Sequence, residues 1–129
     1  MIVGILRETE PENRVAILPG EVVSLKKMGI EVIIESGAGE RAYATDDAYV
    51  ASGASVADRK SVIGKADVLL SVNPPLEDKI DSFREGQLLL SVLNPVENSQ
   101  WIEKARAKGL TLMALDLIPR TSRAQSMDI

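Results

Sequence analysis

The stretch DVLLSVNPPLEDKIDSFREGQLLLSVLNP, Asp67 to Pro95, decides the fold. It holds two apolar runs, Asp67 to Val72 and Gln87 to Leu93, without hydrophobic alternation. Such runs are strands buried on both faces, as in a parallel sheet. Each run ends in an Asn followed by Pro, a step that forces the chain to leave the sheet extended. The residues between, Pro75 to Phe83, read as a short helix. Strand, helix, strand is the repeating unit of an α/β layer.

The same alternation continues outward. Towards the N-terminus, Ile2 to Leu6 is a short β-branched strand. Pro19 to Met28 is a helix, with proline suited to its first turn and Gly29 as its stop. Glu31 to Glu35 is a strand. Thr45 caps a short helix whose first turn carries Asp46 and Asp47 and whose stop is Gly53. Ser55 and Val56 form a brief strand, and Arg59 to Gly64 a short helix. Towards the C-terminus, Asn98 to Lys108 is amphipathic through Trp101, Ile102 and Ala105 and stops at Gly109, and Leu110 to Leu115 is the last strand. The reading is an α/β doubly wound parallel sheet, a flavodoxin-like or Rossmann-like half-domain.

Composition bounds the chemistry. The chain has 129 residues, 45% hydrophobic and 26% charged, with a net charge of −4, so it folds as one globular domain and lacks the basic footprint of a nucleic-acid binder. It contains no cysteine and no histidine. A disulfide, a thiolate nucleophile, a Cys/His zinc site and a Ser-His-Asp triad are therefore excluded within this chain. No apolar run is long enough to span a bilayer.

Four segments carry polar groups in places where chemistry happens. Gly37 to Ala42 (GAGERA) has the form G-x-G-x-x-A after a strand, as a dinucleotide fingerprint does. The helix signal comes only at Thr45, however, and brings two carboxylates that would repel a pyrophosphate, so a plain glycine turn is the better reading. Arg14 lies between the first strand and the first helix, where α/β proteins place ligands. It either forks an anionic ligand or pairs with Glu8, Glu10 or Glu12. Asn73 and Asn94 sit at strand carboxyl ends and line one crevice if they are more than punctuation. Pro119 to Asp128 is dense in hydrogen-bonding groups. Ser122 with Gln125 matches a capping box, which announces a helix just before the chain stops at Ile129, so truncation at that end is expected.

Gly4 to Glu8 (GILRE), Asn13 to Ala16 (NRVA), Pro19 and Leu25 to Gly29 (LKKMG) resemble the N-terminal signature shared by alanine dehydrogenase and the proton-translocating NAD(P) transhydrogenase α subunit. GAGERA, DVLLSVN and the ending ALDLIPRTSRAQSMD continue the resemblance over essentially the whole chain. The resemblance implies a single N-terminal α/β domain over residues 1–129 that stops before the family's own dinucleotide loop. Alanine dehydrogenases move protons with a Lys and a His in the substrate pocket. Here the matching places hold Asn73 and Asn94, and only the matching Arg14 remains, which disfavours that activity. Hydride passing between two nicotinamides leaves nothing to protonate and asks only for positioning and exclusion of water.

The PRTSRAQSMD ending resembles the transhydrogenase loop that closes over bound nicotinamide. The resemblance implies cofactor-binding roles for Arg120, Gln125 and Asp128, no catalytic acid or base, and no metal. It further implies NAD(H) bound through this subunit and NADP(H) by the β subunit, an α-subunit homodimer, and a peripheral position on the cytoplasmic side of the inner membrane, with any membrane contact made by other segments. Two other readings remain open: an alanine dehydrogenase-like oxidoreductase with an altered pocket, and a free-standing non-catalytic binding domain.

Overall fold

The computed structural model describes residues 1–9, 12–76, 78 and 80–114. The elements are β1 (Ile2–Ile5), α1 (Pro19–Lys27), β2 (Glu31–Glu35), α2 (Asp46–Ala51), β3 (Ser55–Ala57), α3 (Arg59–Lys65), β4 (Val68–Leu70), β5 (Leu88–Ser91), α4 (Ser99–Lys108) and β6 (Thr111–Ala114), with 3-10 turns at Glu40–Ala42 and Ile80–Ser82. The six strands form one sheet in the order β3-β2-β1-β4-β5-β6, and every pairing is parallel. This is the doubly wound order, in which the winding direction reverses between β1 and β4.

Local chemistry sets the element ends. Pro19 occupies the first turn of α1, and the Glu21 carboxylate reaches back to accept the Leu18 N–H at 3.1 Å. Thr45 Oγ1 accepts the Ala48 N–H at the start of α2, and Asp58 Oδ1 accepts the Ser61 N–H at the start of α3. Gly109 takes a left-handed φ of +98° after α4, and the Leu110 N–H then bonds the Ala105 carbonyl at 3.1 Å, a Schellman closure.

Side chains leave the sheet on both faces. Val3, Ile5, Val32 and Ile34 join a core with Val22 of α1 and Tyr49 of α2. Leu6, Ile33, Leu69 and Leu89 join a second core with Val62 and Ile63 of α3 and Ala105 of α4. Tyr49 is fully buried, and its hydroxyl donates to the Ile17 carbonyl at 2.7 Å, which ties α2 to the loop before α1. Burial pushes that phenol up to about 12, so it stays a protonated donor.

One expected element is replaced. Pro75 to Phe83 shows, among the described residues, only the 3-10 turn at Ile80–Ser82. Leu76 and Asp78 close short turns onto the Pro74 and Pro75 carbonyls. The Asp78 carboxylate is engaged by Arg59 of α3. Phe83 is buried edge-on to Trp101, with ring centroids 6.4 Å apart. The expected helix gives way to a segment held at Asp78 by Arg59 and at Phe83 by Trp101.

Gly4 marks a close contact between the sheet and α3. A Cβ there would sit 2.7 Å from Ala66 Cβ and 2.9 Å from Val62 Cγ1. α3 rests directly on the β1 backbone, and Gly4→Ala is expected to lower stability by about 1–3 kcal/mol through overpacking. Denaturant unfolding checks this, and an unchanged midpoint would contradict it.

Candidate functional site

A cavity of about 590 Å³ opens at the carboxyl edge of the sheet, where β1 and β4 part. Ligands of doubly wound proteins bind at this switch point. Its walls come from the chain leaving β1, including Arg7, Glu8, Glu12 and Arg14, and from Ser71, Asn73 and Pro74 after β4, with Arg59 from α3.

The wall is built around a buried carboxylate. Glu8 is 7% exposed, and its two oxygens accept the N–H groups of Val72 and Asn73, each at 2.9 Å. The β1–β4 pairing ends with the Leu6 N–H on the Leu70 carbonyl. Beyond that point β1 supplies no further acceptors, and Glu8 takes their place. Burial raises the Glu8 pKa from its ordinary value, against the lowering pull of the two N–H groups.

Asn73 connects this carboxylate to a second one. Its Nδ2 donates to Glu12 Oε2 at 3.1 Å. Glu12 in turn holds Arg14 by a fork, with Nε at 2.8 Å on one oxygen and Nη2 at 3.0 Å on the other, and also accepts the Arg14 N–H at 2.9 Å. The Arg14 guanidinium is thus neutralised by Glu12, one of the partners that spacing offered it. That fork holds the Glu12 carboxyl down at about 2.

Arg59 ties the remaining pieces. Its Nε and Nη2 grip Asp78, Nη1 donates to Glu35 Oε1 at 2.7 Å, and Nη1 also reaches the Arg7 carbonyl at 3.2 Å. Burial alone would lower its pKa, but Asp78 and Glu35 raise it on balance. Arg7 is exposed, and its guanidinium makes no ion pair among the described residues. Sequence reasoning placed Glu8 only as a possible partner of Arg14 and gave no site role to Arg59, Glu35 or Asp78. An acidic residue just past an apolar strand carries no local signal that it will be buried under a distant strand exit.

The other candidates separate. Asn73 lines the cavity, whereas Asn94, with a φ of +46°, is not among the residues around it. Gly37 to Ala42 is a turn followed by the short 3-10 segment, as the plain-turn reading expects. Asp46 occupies its donors: one oxygen accepts the Gly37 N–H at 2.9 Å and the other the Ser36 hydroxyl at 3.0 Å. A Cβ on Gly39 would lie 2.6 Å from Tyr49 Cε2, so packing of that ring accounts for this glycine. Arg120, Gln125 and Asp128, with the Ser122 capping box, lie outside the described residues. Among the described residues no group of three or more Asp or Glu could hold a metal ion, and no helix is long and apolar enough to cross a membrane.

The Glu12–Arg14 fork has a pH signature. The folded Glu12 value, about 2, lies below its ordinary 4.5. Its contribution to stability is therefore present above pH 4.5 and lost as pH falls towards 2. Glu8, shifted the other way, stabilises most below its ordinary value and loses that contribution as pH rises through its folded value. Glu12→Gln is expected to flatten the acid limb of unfolding free energy against pH between about 4.5 and 2. An unchanged slope would contradict the fork.

Comparison with known proteins places this architecture. Residues 4–129 match the family described as alanine dehydrogenase/PNT, N-terminal domain. The NAD(P) transhydrogenase subunit alpha of Cereibacter sphaeroides is 38% identical over 130 residues, which cover 99% of this chain and 25% of that protein. The crystal structure of transhydrogenase from Sinorhizobium meliloti superposes with a TM-score of 0.92 at 37% identity, covering 99% of this chain and 39% of that one. An L-alanine dehydrogenase structure superposes with a TM-score of 0.87 at 30% identity, covering 95% of this chain and 34% of that one. The chain thus spans between a quarter and two-fifths of the length of the two transhydrogenase proteins. With the six-stranded doubly wound sheet and these matches in agreement, the chain belongs to the alanine dehydrogenase/PNT N-terminal domain family.

Proposed function

We propose that residues 1–129 form the N-terminal domain of an NAD(P) transhydrogenase α subunit, an oxidoreductase that passes hydride between NAD(H) and NADP(H) and couples this to proton translocation. The observation that carries the reading is Asn73 on the crevice wall, its amide committed to Glu12. A carboxamide acts as neither a general acid nor a general base at neutral pH. At this position the wall thus offers hydrogen bonds and shelter in place of a proton shuttle, which suits hydride transfer and does not suit interconversion of an amino acid and a keto acid.

The residues present fit the nicotinamide end of a coenzyme. The cavity is of small-molecule size, and both the Asn73 carbonyl oxygen and the Arg7 guanidinium, which has no ion pair among the described residues, have hydrogen-bonding capacity to spare. NAD(H), when bound, supplies the hydride donor or acceptor. In this reading Arg120, Gln125 and Asp128 hold the carboxamide and orient the ring, and the crevice wall keeps water away from it. NADP(H) belongs to the β subunit, the α subunit forms a homodimer, and the domain is peripheral on the cytoplasmic side of the inner membrane. The likeness to L-alanine dehydrogenase supports a second reading, an alanine-oxidising enzyme with a changed pocket.

One pair of assays separates them. The protein that carries this domain, purified with its β partner, is expected to reduce a thionicotinamide NADP analogue with NADH. It is expected to form no NADH from NAD and alanine. Alanine-dependent NADH formation would overturn the transhydrogenase reading. Gln125→Asn or Asp128→Asn is expected to slow hydride transfer by about tenfold or more through loss of orientation. Unchanged rates would remove these residues from the site.

A further inference from the structure

The buried Glu8 carboxylate is an expensive way to cap a strand. Its burial penalises the charged form, and Asn, Gln or Ser can accept a backbone N–H without carrying charge inside. Only a carboxylate offers two acceptor oxygens side by side with no donor between them. Glu8 uses both, one on Val72 and one on Asn73. Among the described residues no side-chain cation bonds it: Arg59 is committed to Asp78 and Glu35, and Arg14 to Glu12. The Val72 carbonyl on the opposite side of the same segment accepts the Val92 N–H and the Ser91 hydroxyl. Residues 72 and 73 are therefore held from both flanks, and the Asn73 side chain projects from this clamp to Glu12.

We propose that Glu8 is a positioning residue: by clamping the Val72 and Asn73 N–H groups it sets the Asn73 amide, and through it the Glu12–Arg14 fork, as a rigid wall against which the nicotinamide end of the coenzyme is aligned. The inference rests on the transhydrogenase reading and adds to it a residue whose carboxylate is turned to the backbone of Val72 and Asn73. Glu8→Gln replaces one acceptor with an NH2 donor facing a backbone N–H, so one of the two bonds is lost and the exit of β4 turns. Glu8→Asp keeps both acceptors one methylene further back.

The test uses the intact protein with its β partner. Glu8→Gln is expected to lower kcat for hydride transfer by about tenfold or more while the KM for NADH moves by less than about threefold, because alignment and not affinity is disturbed. Glu8→Asp is expected to recover part of the rate. In an Asn73→Ala background Glu8→Gln is expected to cost little more, since the two act in series. Amide hydrogen exchange at Val72 and Asn73 is read in the same proteins and is expected to speed up in Glu8→Gln. Faster exchange with unchanged kcat would overturn the positioning role and leave Glu8 a cap. Unchanged exchange in Glu8→Gln would overturn the clamp itself. Should Glu8→Gln fail to fold, Glu8→Asp carries the same test, with an intermediate fall in kcat expected and an unchanged kcat overturning the role. A wild-type protein without transhydrogenation would remove the functional reading, while the exchange data would still decide the clamp.

Discussion

Where β1 and β4 diverge, the sheet leaves two backbone N–H groups facing a strand that has gone. A buried N–H without an acceptor costs about as much as a lost hydrogen bond or more. The chain solves this with the Glu8 carboxylate, which bonds Val72 and Asn73 from the loop that β1 becomes. The switch point is then open enough for a cavity and rigid enough to hold its walls. Arg59 extends the solution sideways, gathering Glu35 at the end of β2, Asp78 after β4 and the Arg7 carbonyl after β1. Three strand exits are fixed by two charged side chains that come from different elements.

The sheet was legible because its strands are continuous apolar runs bounded by Gly, Pro and Asn, and no long-range partner changes that pattern. Helix ends were legible at Pro19, Thr45 and Gly109, where a single residue type decides the geometry. The Pro75–Phe83 segment, expected as a short helix between two strands, follows long-range partners instead. Leu76 faces solvent, Phe83 packs on Trp101, and Asp78 answers to Arg59. Those destinations are set by α3 and α4, and nothing between residues 75 and 83 announces them.

Site residues divide in the same way. Arg14 and Asn73 were visible as polar groups at strand exits, and the cavity brings both to its wall. Asn94, equally visible, stands away from it. Glu8, the residue that organises the wall, looked like one more surface carboxylate, because its burial depends on β4 arriving from 64 residues away. The glycine loop taught the reverse lesson. Its G-x-G pattern exists to admit the Tyr49 ring and to close on Asp46, both of which follow it in sequence.

Electrostatic self-sufficiency is the common thread. Arg14 and Arg59 are answered within the chain, so among the described wall residues Arg7 is left as the cation with no ion pair, beside the Asn73 amide and the Ser71 hydroxyl. That character fits the proposed role of aligning a ring, with positioning and not proton transfer as the wall's contribution. A crystal structure of the intact protein with NADH bound tests this most directly. The account predicts the nicotinamide ring in the β1–β4 crevice against Asn73, with the Glu8 bonds to residues 72 and 73 intact. A ring bound away from the loops after β1 and β4 would contradict it.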